Sequence, residues 1–269
     1  MNLLLVAQDE LTPVNGSRHV LLDDRRAEHL VRVLGVEPDR ELRAGMVGGG
    51  IGTARVLRVD GTRRAPRVEL ALTLPGTPPQ RPDIDLIVAL PRPQALHRIL
   101  QTTATMGVGR LALVNAWRVE KSFFSTPSLA PEKVRRHLLL GAEQGVTTWL
   151  PEVRLERLLV PFVRDLGANP SATTLRLIAH PDAETPIEDA FMGYAWPGRV
   201  ELAIGPEGGW IDREVQTFGE EGFRPVSLGT RILRVETAVT GALAQLNLLR
   251  RQADRPADRH SVCSDGALA

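Results

Sequence analysis

The sequence predicts two structural units, a small mostly β domain at residues 1–74 and a larger α/β domain at residues 83–250. Prolines crowd the segment between them, residues 75–82, which we interpret as a linker because proline disrupts helices and interior strands. Before this linker, short apolar runs alternate with turns. After it, apolar runs alternate with helical patterns, which is typical of a mainly parallel sheet covered on both faces.

In the first unit, four short apolar runs predict strands. They are Leu3–Val6, Val20–Leu22, Gly52–Val59 and Val68–Leu72. Gly48-Gly49-Gly50 predicts a hairpin turn, because glycine adopts the backbone conformations that tight turns require. A helical pattern is present at Arg26–Leu34. This combination predicts a small β-rich domain.

In the second unit, five apolar runs predict strands. They are Ile84–Leu90, Leu111–Val114, Leu175–Ala179, Leu202–Ile204 and Val226–Leu228. Helices are predicted from Pro93 to Gly107, from Pro131 to about Gly145, and over Asp212–Glu221, because proline favours a helix start and glycine a helix end. A last helix carries Val239, Ala242, Leu243, Leu246 and Leu249 on one side. Residues 251–269 have no apolar period, and we expect them to be disordered.

The charge and the cysteine content exclude several classes of protein. The 269 residues include 33 basic and 32 acidic side chains, which excludes a polybasic nucleic-acid binder recognisable from bulk charge and an acidic solvating chain. Cys263 is the single cysteine, so an internal disulfide and a cysteine-based metal cluster are excluded. The six histidines lack paired ligand spacing, and we expect no metal site.

Neither end of the sequence indicates a membrane protein. Met1–Ala7 is apolar, but no basic segment precedes it, so it does not resemble a signal peptide. The uncharged stretch Thr237–Leu249 has 13 residues, which are too few to cross a bilayer. These observations predict a soluble, cytoplasmic protein.

Gly205-Pro206-Glu207-Gly208-Gly209 is the strongest candidate for a ligand-binding loop. It follows the predicted strand that ends at Ile204 and precedes a helix, where open α/β sheets bind ligands. Its glycines permit a close backbone approach and expose N–H donors. An ordinary strand-to-helix turn is the alternative. Gly48–Gly52 lacks the spacing of a dinucleotide loop, and Pro225–Gly229 lacks the first glycine of a hydrolase elbow.

A second candidate loop, residues 227–238, follows the strand at Val226–Leu228. It holds Arg231, Arg234 and Glu236 between a buried strand and a buried helix. The first turn of a helix favours Glu236 electrostatically, so a purely structural capping role is the alternative. Two such loops at one sheet edge predict a pocket.

Together these residues resemble the RsmE family of the SPOUT superfamily, the small-subunit ribosomal RNA methyltransferases that form N3-methyluridine. The resemblance rests on Ile204–Gly209, Glu214-Val215, Gly222-Phe223, Leu228-Gly229, Arg231–Arg234 and Glu236–Ala238. Upstream, Glu143-Gln144 and Met106-Gly107-Val108 match further family signatures. The combination covers nearly the whole chain and is highly specific, whereas any single piece is not.

The resemblance implies a PUA-like β-barrel in the first unit and a SPOUT α/β domain with a C-terminal trefoil knot in the second. It implies S-adenosylmethionine as the cofactor and a homodimer formed through the knotted domain. The apolar side of the last helix is a candidate dimer surface, with a place in the chain's own core as the alternative. The implied cofactor-binding residues are His180, Ile204, Gly205, Pro206, Glu207, Gly208, Leu228, Gly229, Ile232, Leu233, Thr237 and Ala238.

The resemblance also implies a substrate in the small ribosomal subunit, near its decoding region and read after assembly. The candidate RNA-binding residues are Arg25, Arg26, His29, Arg32, Arg63, Arg64 and Arg231. Three segments depart from the family pattern: Met1-Asn2-Leu3 and Arg32-Val33-Leu34-Gly35 each lack a family arginine, and Gly145 follows Glu143-Gln144 where an arginine is common. These departures concern RNA contacts and leave the cofactor residues intact.

Methylation of a uridine N3 requires removal of its proton, so the site needs a base or a cation that stabilises the uracil anion. We expect Arg234 to stabilise negative charge on the ring oxygens and Glu236 to accept the proton, with packing and capping as their alternatives. Two other functions stay open at this point. One is another SPOUT methyltransferase, such as one acting on a transfer RNA ribose 2′-hydroxyl. The other is a non-catalytic RNA-binding or ribosome-assembly protein.

Overall fold

The computed structural model describes residues 2–14, 17–75, 77–168, 173–192 and 195–254 of the chain. Within these residues the strands form two six-stranded sheets, each packed on its own buried apolar cluster. The predicted β-rich first unit and α/β second unit are therefore confirmed. Cys263 and most of the predicted disordered tail lie outside the described residues.

The first sheet lies between residues 4 and 73. Its strands are β1 (Leu4–Val6), β2 (Thr12–Val14), β3 (Ser17–Leu22), β4 (Glu41–Met46), β5 (Ile51–Thr62) and β6 (Ala65–Thr73), in the order β1-β4-β5-β6-β3-β2. Each neighbouring pair is antiparallel except β1 and β4. The predicted hairpin turn is confirmed, since β4 and β5 pair across it and Gly48 has a φ of +72°.

Helix α1 (Arg25–Arg32) packs on this sheet. Asp24 caps it, because its side chain accepts a hydrogen bond from the Arg26 backbone N–H at 2.8 Å. Ala27 and Leu30 are fully buried in the first apolar cluster. The predicted helix is confirmed, but it starts one residue earlier and ends two residues earlier than expected.

The second sheet is entirely parallel, as the alternating pattern predicted. Its strands are β7 (Ile84–Ala89), β8 (Arg110–Val114), β9 (Glu152–Glu156), β10 (Thr174–Ala179), β11 (Arg199–Ile204) and β12 (Arg224–Val226), in the order β12-β10-β11-β7-β8-β9. The chain thus builds one half of the sheet before it returns to build the other. The last three strands end side by side at one edge, which brings their following loops together.

Five helices flank this sheet: α2 (Pro93–Met106), α3 (Pro131–Gly145), α4 (Leu159–Ala168), α5 (Asp212–Glu220) and α6 (Val235–Ala253). Proline starts α2 and α3 as predicted, and Gly107 ends α2 at a φ of +82°. The predicted start of the tail at residue 251 is wrong, because α6 continues through Ala253. No helix in the described ranges has both the length and the apolar character needed to cross a membrane.

Strand β1 contributes to both apolar clusters, because alternate side chains of a strand point to opposite faces. Leu4 and Val6 belong to the first cluster, whereas Leu5 and the preceding Leu3 belong to the second. The Leu3 N–H donates to the carbonyl oxygen of Glu143 at 3.1 Å. The Glu143-Gln144 signature therefore lies where the two units meet. The trefoil knot and the closure of the first sheet into a barrel stay predictions.

Candidate active site

A cavity of about 230 Å³ opens at the carboxyl ends of β10, β11 and β12. The loops that follow these three strands form it, as the positions of the two candidate loops predicted. It is lined by Ala179, His180, Pro181, Ile204, Gly205, Pro206, Glu207, Gly208, Gly209, Trp210, Leu228, Gly229, Arg231, Ile232, Leu233, Val235 and Ala238. Most of these side chains are apolar, and the glycines leave backbone exposed between them. Such a lining is typical of a small-molecule site.

The loop after β11 makes close contacts at its glycines. A Cβ atom on Gly205 would lie 3.2 Å from the backbone nitrogen and the indole ring of Trp210. A Cβ atom on Gly208 would lie 2.9 Å from Cδ of Arg118, whose guanidinium donates to the Gly208 carbonyl oxygen. Gly209 has a φ of +75°, which favours glycine. Packing against Trp210 therefore favours glycine at position 205, and the backbone conformation favours glycine at position 209.

Glu214 in α5 ties this loop to the loop after β8. One carboxylate oxygen accepts the Trp117 backbone N–H at 2.7 Å, and the other accepts the Ile211 backbone N–H at 3.0 Å. The side chain lies in the first turn of α5, where a negative charge is favourable, and it is buried. The family signature at Glu214 thus has a structural explanation.

The loop after β12 is held at its base and exposed at its tip. Gln245 of α6 donates to the Leu228 carbonyl oxygen at 3.0 Å, and the Ser227 hydroxyl accepts the Gly229 N–H at 3.2 Å. Beyond this turn the Ile232 side chain is 88% exposed. An apolar side chain that exposed, at the edge of a cavity, is available to cover a bound ligand.

Trp210 leaves one buried donor without a partner. Its indole Nε1 has no hydrogen-bond acceptor among the described residues, although the ring is buried against Phe218. Buried N–H groups are rarely unpaired in folded proteins. Since Trp210 lines the cavity, this N–H is a polar group that a ligand acceptor can satisfy.

A second hollow of about 930 Å³ adjoins the cavity, and Glu207 lines both. We call it the arginine groove. It is lined by Arg92, Pro93, Gln94, Ala95, Arg98, Glu120, Phe123, Glu207, Arg234 and Glu236. The predicted catalytic pair, Arg234 and Glu236, lines this groove and does not line the first cavity. One loop therefore contributes neighbouring residues to two adjoining spaces.

The charged groups of the arginine groove are only loosely paired. Arg92 lies 3.9 Å from the Glu207 carboxylate, and Arg98 lies 3.5 Å from the Glu236 carboxylate. Within the described part of the chain, the Arg234 guanidinium has no hydrogen-bond or ion-pair partner, and its residue is exposed. Three guanidinium groups can thus bind an anionic ligand, and the exposed ion pairs broken in doing so contribute little stability.

Comparison with known proteins decides the family. A model described as an RNA methyltransferase domain matches residues 78–247. The ribosomal RNA small subunit methyltransferase E of Treponema pallidum is 30% identical to this chain, over 98% of each protein. This chain belongs to the RsmE family.

Solved structures of the RsmE fold extend this likeness. The enzyme from Neisseria gonorrhoeae, crystallised with S-adenosylmethionine, has a TM-score of 0.71 and 24% identity, covering 93% of this chain and 98% of that one. A methyltransferase from Legionella pneumophila in complex with S-adenosylmethionine has a TM-score of 0.68 and 25% identity, covering 92% and 98%. Both units of this chain are included in these superpositions.

Nearly all of the cofactor-binding residues implied by the resemblance line the cavity. They are His180, Ile204, Gly205, Pro206, Glu207, Gly208, Leu228, Gly229, Ile232, Leu233 and Ala238. Thr237 does not line the cavity, because it points to a separate hollow between α2 and α6. Arg231, assigned to RNA from the sequence, lines the cavity.

The other candidate RNA-binding residues lie in the first unit and divide into two groups. Arg25 makes two hydrogen bonds to Glu143, and Arg26 is buried between Glu10, Asp24 and the Leu5 carbonyl oxygen. These contacts give both arginines a structural role, so we leave them out of the proposed RNA surface.

The second group lies around the β5–β6 turn. Arg32 donates to the backbone oxygens of Arg63 and Arg64 at 2.8 and 3.2 Å and so fixes that turn. The side chains of Arg63 and Arg64 are exposed. His29 is half-buried, and burial lowers its pKa. Arg63 and Arg64 stay the candidates for phosphate contact in this unit.

The sequence analysis missed several residues of the site. They are Trp210 and Arg118 at the cavity, and Arg92, Arg98, Glu120 and Phe123 in the arginine groove. The Leu-Pro segment before α2 follows a strand end just as the glycine loop does, and that position was a usable signal for Arg92. Among the described residues, no cluster of histidine, aspartate and glutamate side chains suits a metal ion.

Proposed function

We propose that this protein transfers a methyl group from S-adenosylmethionine to N3 of a uridine in 16S ribosomal RNA. The observation that carries the proposal is the adjoining pair of spaces: an apolar, glycine-lined cavity and a groove that holds Arg234 and Glu236, joined at Glu207. As a member of the RsmE family, the chain is an S-adenosylmethionine-dependent ribosomal RNA methyltransferase. The choice of the uridine N3 is our proposal.

The cavity suits the cofactor. Ile204, Leu228 and Leu233 supply apolar walls for a flat ring, and the glycine loop supplies exposed backbone. The unpartnered Trp210 indole N–H offers a donor to an acceptor atom. When bound, S-adenosylmethionine supplies an electrophilic methyl group, and it leaves as the neutral thioether.

The groove residues supply the rest of the chemistry. In the proposed reaction the N3–H bond breaks, an N3–carbon bond forms, and the proton passes to the Glu236 carboxylate, directly or through water. Arg234 stabilises the negative charge that develops on the ring oxygens, since its guanidinium has no other partner among the described residues.

A deletion strain tests the proposed reaction. Mass spectrometry of ribosomal RNA from a deletion strain should show the loss of one N3-methyluridine, restored by the intact gene. Loss of a ribose methyl from transfer RNA would instead identify another SPOUT activity, and no lost methyl together with no cofactor binding would indicate a non-catalytic RNA-binding protein.

Variants of the catalytic pair test the roles of the two residues. Arg234→Ala and Glu236→Gln should each lower the single-turnover rate about 100-fold or more, with cofactor affinity nearly unchanged, because both line the groove rather than the cavity. Arg251→Ala, in the same helix as Glu236 but at its other end, is the matched control. Equal losses of cofactor affinity and rate would mean that the pair only shapes the loop.

The partner and the assembly state are also proposals. We propose the assembled small subunit as the substrate, because the balanced net charge makes recognition depend on local arginines and RNA shape. This substrate would place the reaction in the cytoplasm. The homodimer rests on family resemblance alone. Of the last-helix stripe suggested as its surface, Val239, Ala242, Leu243 and Leu246 are buried within the chain, and Leu249 is half-buried.

A further inference from the structure

The arginine groove is lined by more charged and aromatic side chains than the proposed reaction requires. In the proposed reaction Arg234 stabilises the charge on the uracil ring and Glu236 accepts the proton. Arg92, Arg98 and Phe123 line the same space and have no role in that chemistry. The groove volume of about 930 Å³ is within the range of roughly 300–1,000 Å³ that is common for ligand sites. We propose that the groove binds a single unstacked nucleotide of the RNA, with its base stacked on the Phe123 ring and its flanking phosphates held by Arg92 and Arg98.

Phe123 is fixed in a position to act as a stacking surface. It lies in a 3₁₀ turn, Lys121–Ser125, in which its N–H donates to the Glu120 carbonyl oxygen at 3.0 Å and its own carbonyl oxygen accepts from Thr126 at 3.2 Å. The ring is half-buried against the second apolar cluster. The neighbouring Phe124 is buried under the Arg157 guanidinium, which anchors the turn. The turn thus holds the Phe123 ring in place, and the half-buried residue lines the groove.

Arg92 and Arg98 are placed to bind phosphate. Their side chains are 75% and 69% exposed, and their nearest carboxylates are 3.9 and 3.5 Å away. Ion pairs this exposed contribute little, so exchanging them for a phosphate is inexpensive. Arginine beside an aromatic ring is also the combination that binds single-stranded RNA, by phosphate contact and base stacking.

The position of the groove fits a base that is to be methylated. A base inside a helical stack cannot reach an enclosed site, so enzymes that modify bases take them out of the stack. Glu207 lines both the groove and the cavity, so a base on Phe123 lies next to the methyl donor's cavity. This inference rests on the proposed function, because it identifies the groove as the substrate site for that reaction.

Substitutions of Phe123 separate stacking from packing. Phe123→Leu keeps an apolar side chain against the core but removes the aromatic face, and Phe123→Tyr keeps the face. With small subunits as substrate, Phe123→Leu should lower kcat/KM roughly 5- to 150-fold, the range expected for one lost base stack. Phe123→Tyr should stay within about threefold of the unchanged protein, and both variants should bind S-adenosylmethionine normally in calorimetry.

Arg92→Gln and Arg98→Gln test the phosphate contacts. Each should raise the small-subunit concentration for half-maximal rate and reduce the slope of log affinity against log salt by about 1. Arg164→Gln, an exposed arginine on α4 outside the groove, is the control and should change neither. Unchanged salt slopes for both groove variants would overturn the phosphate assignment, and a Phe123→Leu protein with normal kcat/KM would overturn the stacking assignment.

A turnover-independent measurement distinguishes this inference from the proposed function. Ultraviolet cross-linking of the protein to small subunits, followed by peptide mass spectrometry, should join a nucleotide to the peptide that contains Phe123. If this cross-link forms but no uridine is methylated, the groove inference holds and the proposed reaction fails. If methylation occurs but the cross-links lie elsewhere, the reaction holds and the inference fails.

Discussion

The junction between the two units contains one largely buried ion pair. The Glu143 side chain is 4% exposed, and it receives two hydrogen bonds from Arg25, at 2.8 and 2.9 Å. Arg25→Ala would leave this carboxylate buried without its cation. Breaking a fully buried pair costs about 3–5 kcal/mol, but the Arg25 side chain is 35% exposed, so water can compensate in part. We therefore expect a loss of about 2 kcal/mol in the free energy of unfolding.

This loss is large enough to measure. Each kcal/mol shifts the midpoint of thermal unfolding by about 2–4 °C in a protein of this size, so Arg25→Ala should lower Tm by about 4–8 °C. Urea unfolding of Arg25→Ala, Glu143→Gln and the double variant gives the coupling energy. The double variant should lose less than the sum of the single losses, because the two residues stabilise each other.

Arg32→Ala is the matched control. Arg32 also belongs to α1, but its hydrogen bonds go to backbone oxygens in an exposed turn. We expect it to lose less than about 1 kcal/mol. Two results would refute the argument that this pair joins the units. One is a free energy of unfolding for Arg25→Ala within about 0.5 kcal/mol of the unchanged protein, which is roughly the ordinary range for surface substitutions. The other is strictly additive losses in the double variant.

Two further predictions concern the cavity and acid stability. Gly205→Val should lower S-adenosylmethionine affinity at least about tenfold in calorimetry while circular dichroism stays normal, because the new Cβ would meet Trp210 at 3.2 Å. Gly219→Ala, whose Cβ would meet nothing within 4 Å, is the control. Undiminished affinity in Gly205→Val would exclude the glycine loop from the cofactor site. Burial raises the pKa values of Glu10 and Asp24, but hydrogen bonds and the charge of Arg26 outweigh it and hold both pKa values below their usual range. Their stabilisation should be full above pH ~4 and be lost below it in urea unfolding; a drop that persists in Arg26→Gln would contradict this source.

Much of the fold was predictable because its signals are local. Pro93 and Gly107 bound α2 by their own backbone preferences, and the apolar runs of the second unit mark five of its strands. β9 was missed because Glu152–Glu156 is a partly exposed edge strand with charged residues at alternate positions. A short charged edge strand carries little of the apolar pattern on which the prediction depends.

The site was predictable in its loops and not in its cross-chain contacts. The glycine loop and the Arg234 loop could be found because each follows a strand and precedes a helix. The contact of Arg118 with Gly208 spans 90 positions, and that of Arg25 with Glu143 spans 118. No local sequence pattern predicts such long-range contacts. Arginines in similar sequence contexts therefore have different environments in the structure. Arg26 is buried in ion pairs, whereas Arg92 lies open in the groove.

Strand β1 limits how the protein can be divided. Its Leu5, together with Leu3, belongs to the apolar cluster of the unit that carries the proposed cofactor cavity. A fragment that begins at residue 83 would have a hole at that place, although it retains every residue that lines the cavity and the groove. We therefore expect a fragment that begins at residue 83 to be less stable than the second unit within the whole chain. A deletion that removes β1 takes apolar side chains from the cores of both units at once.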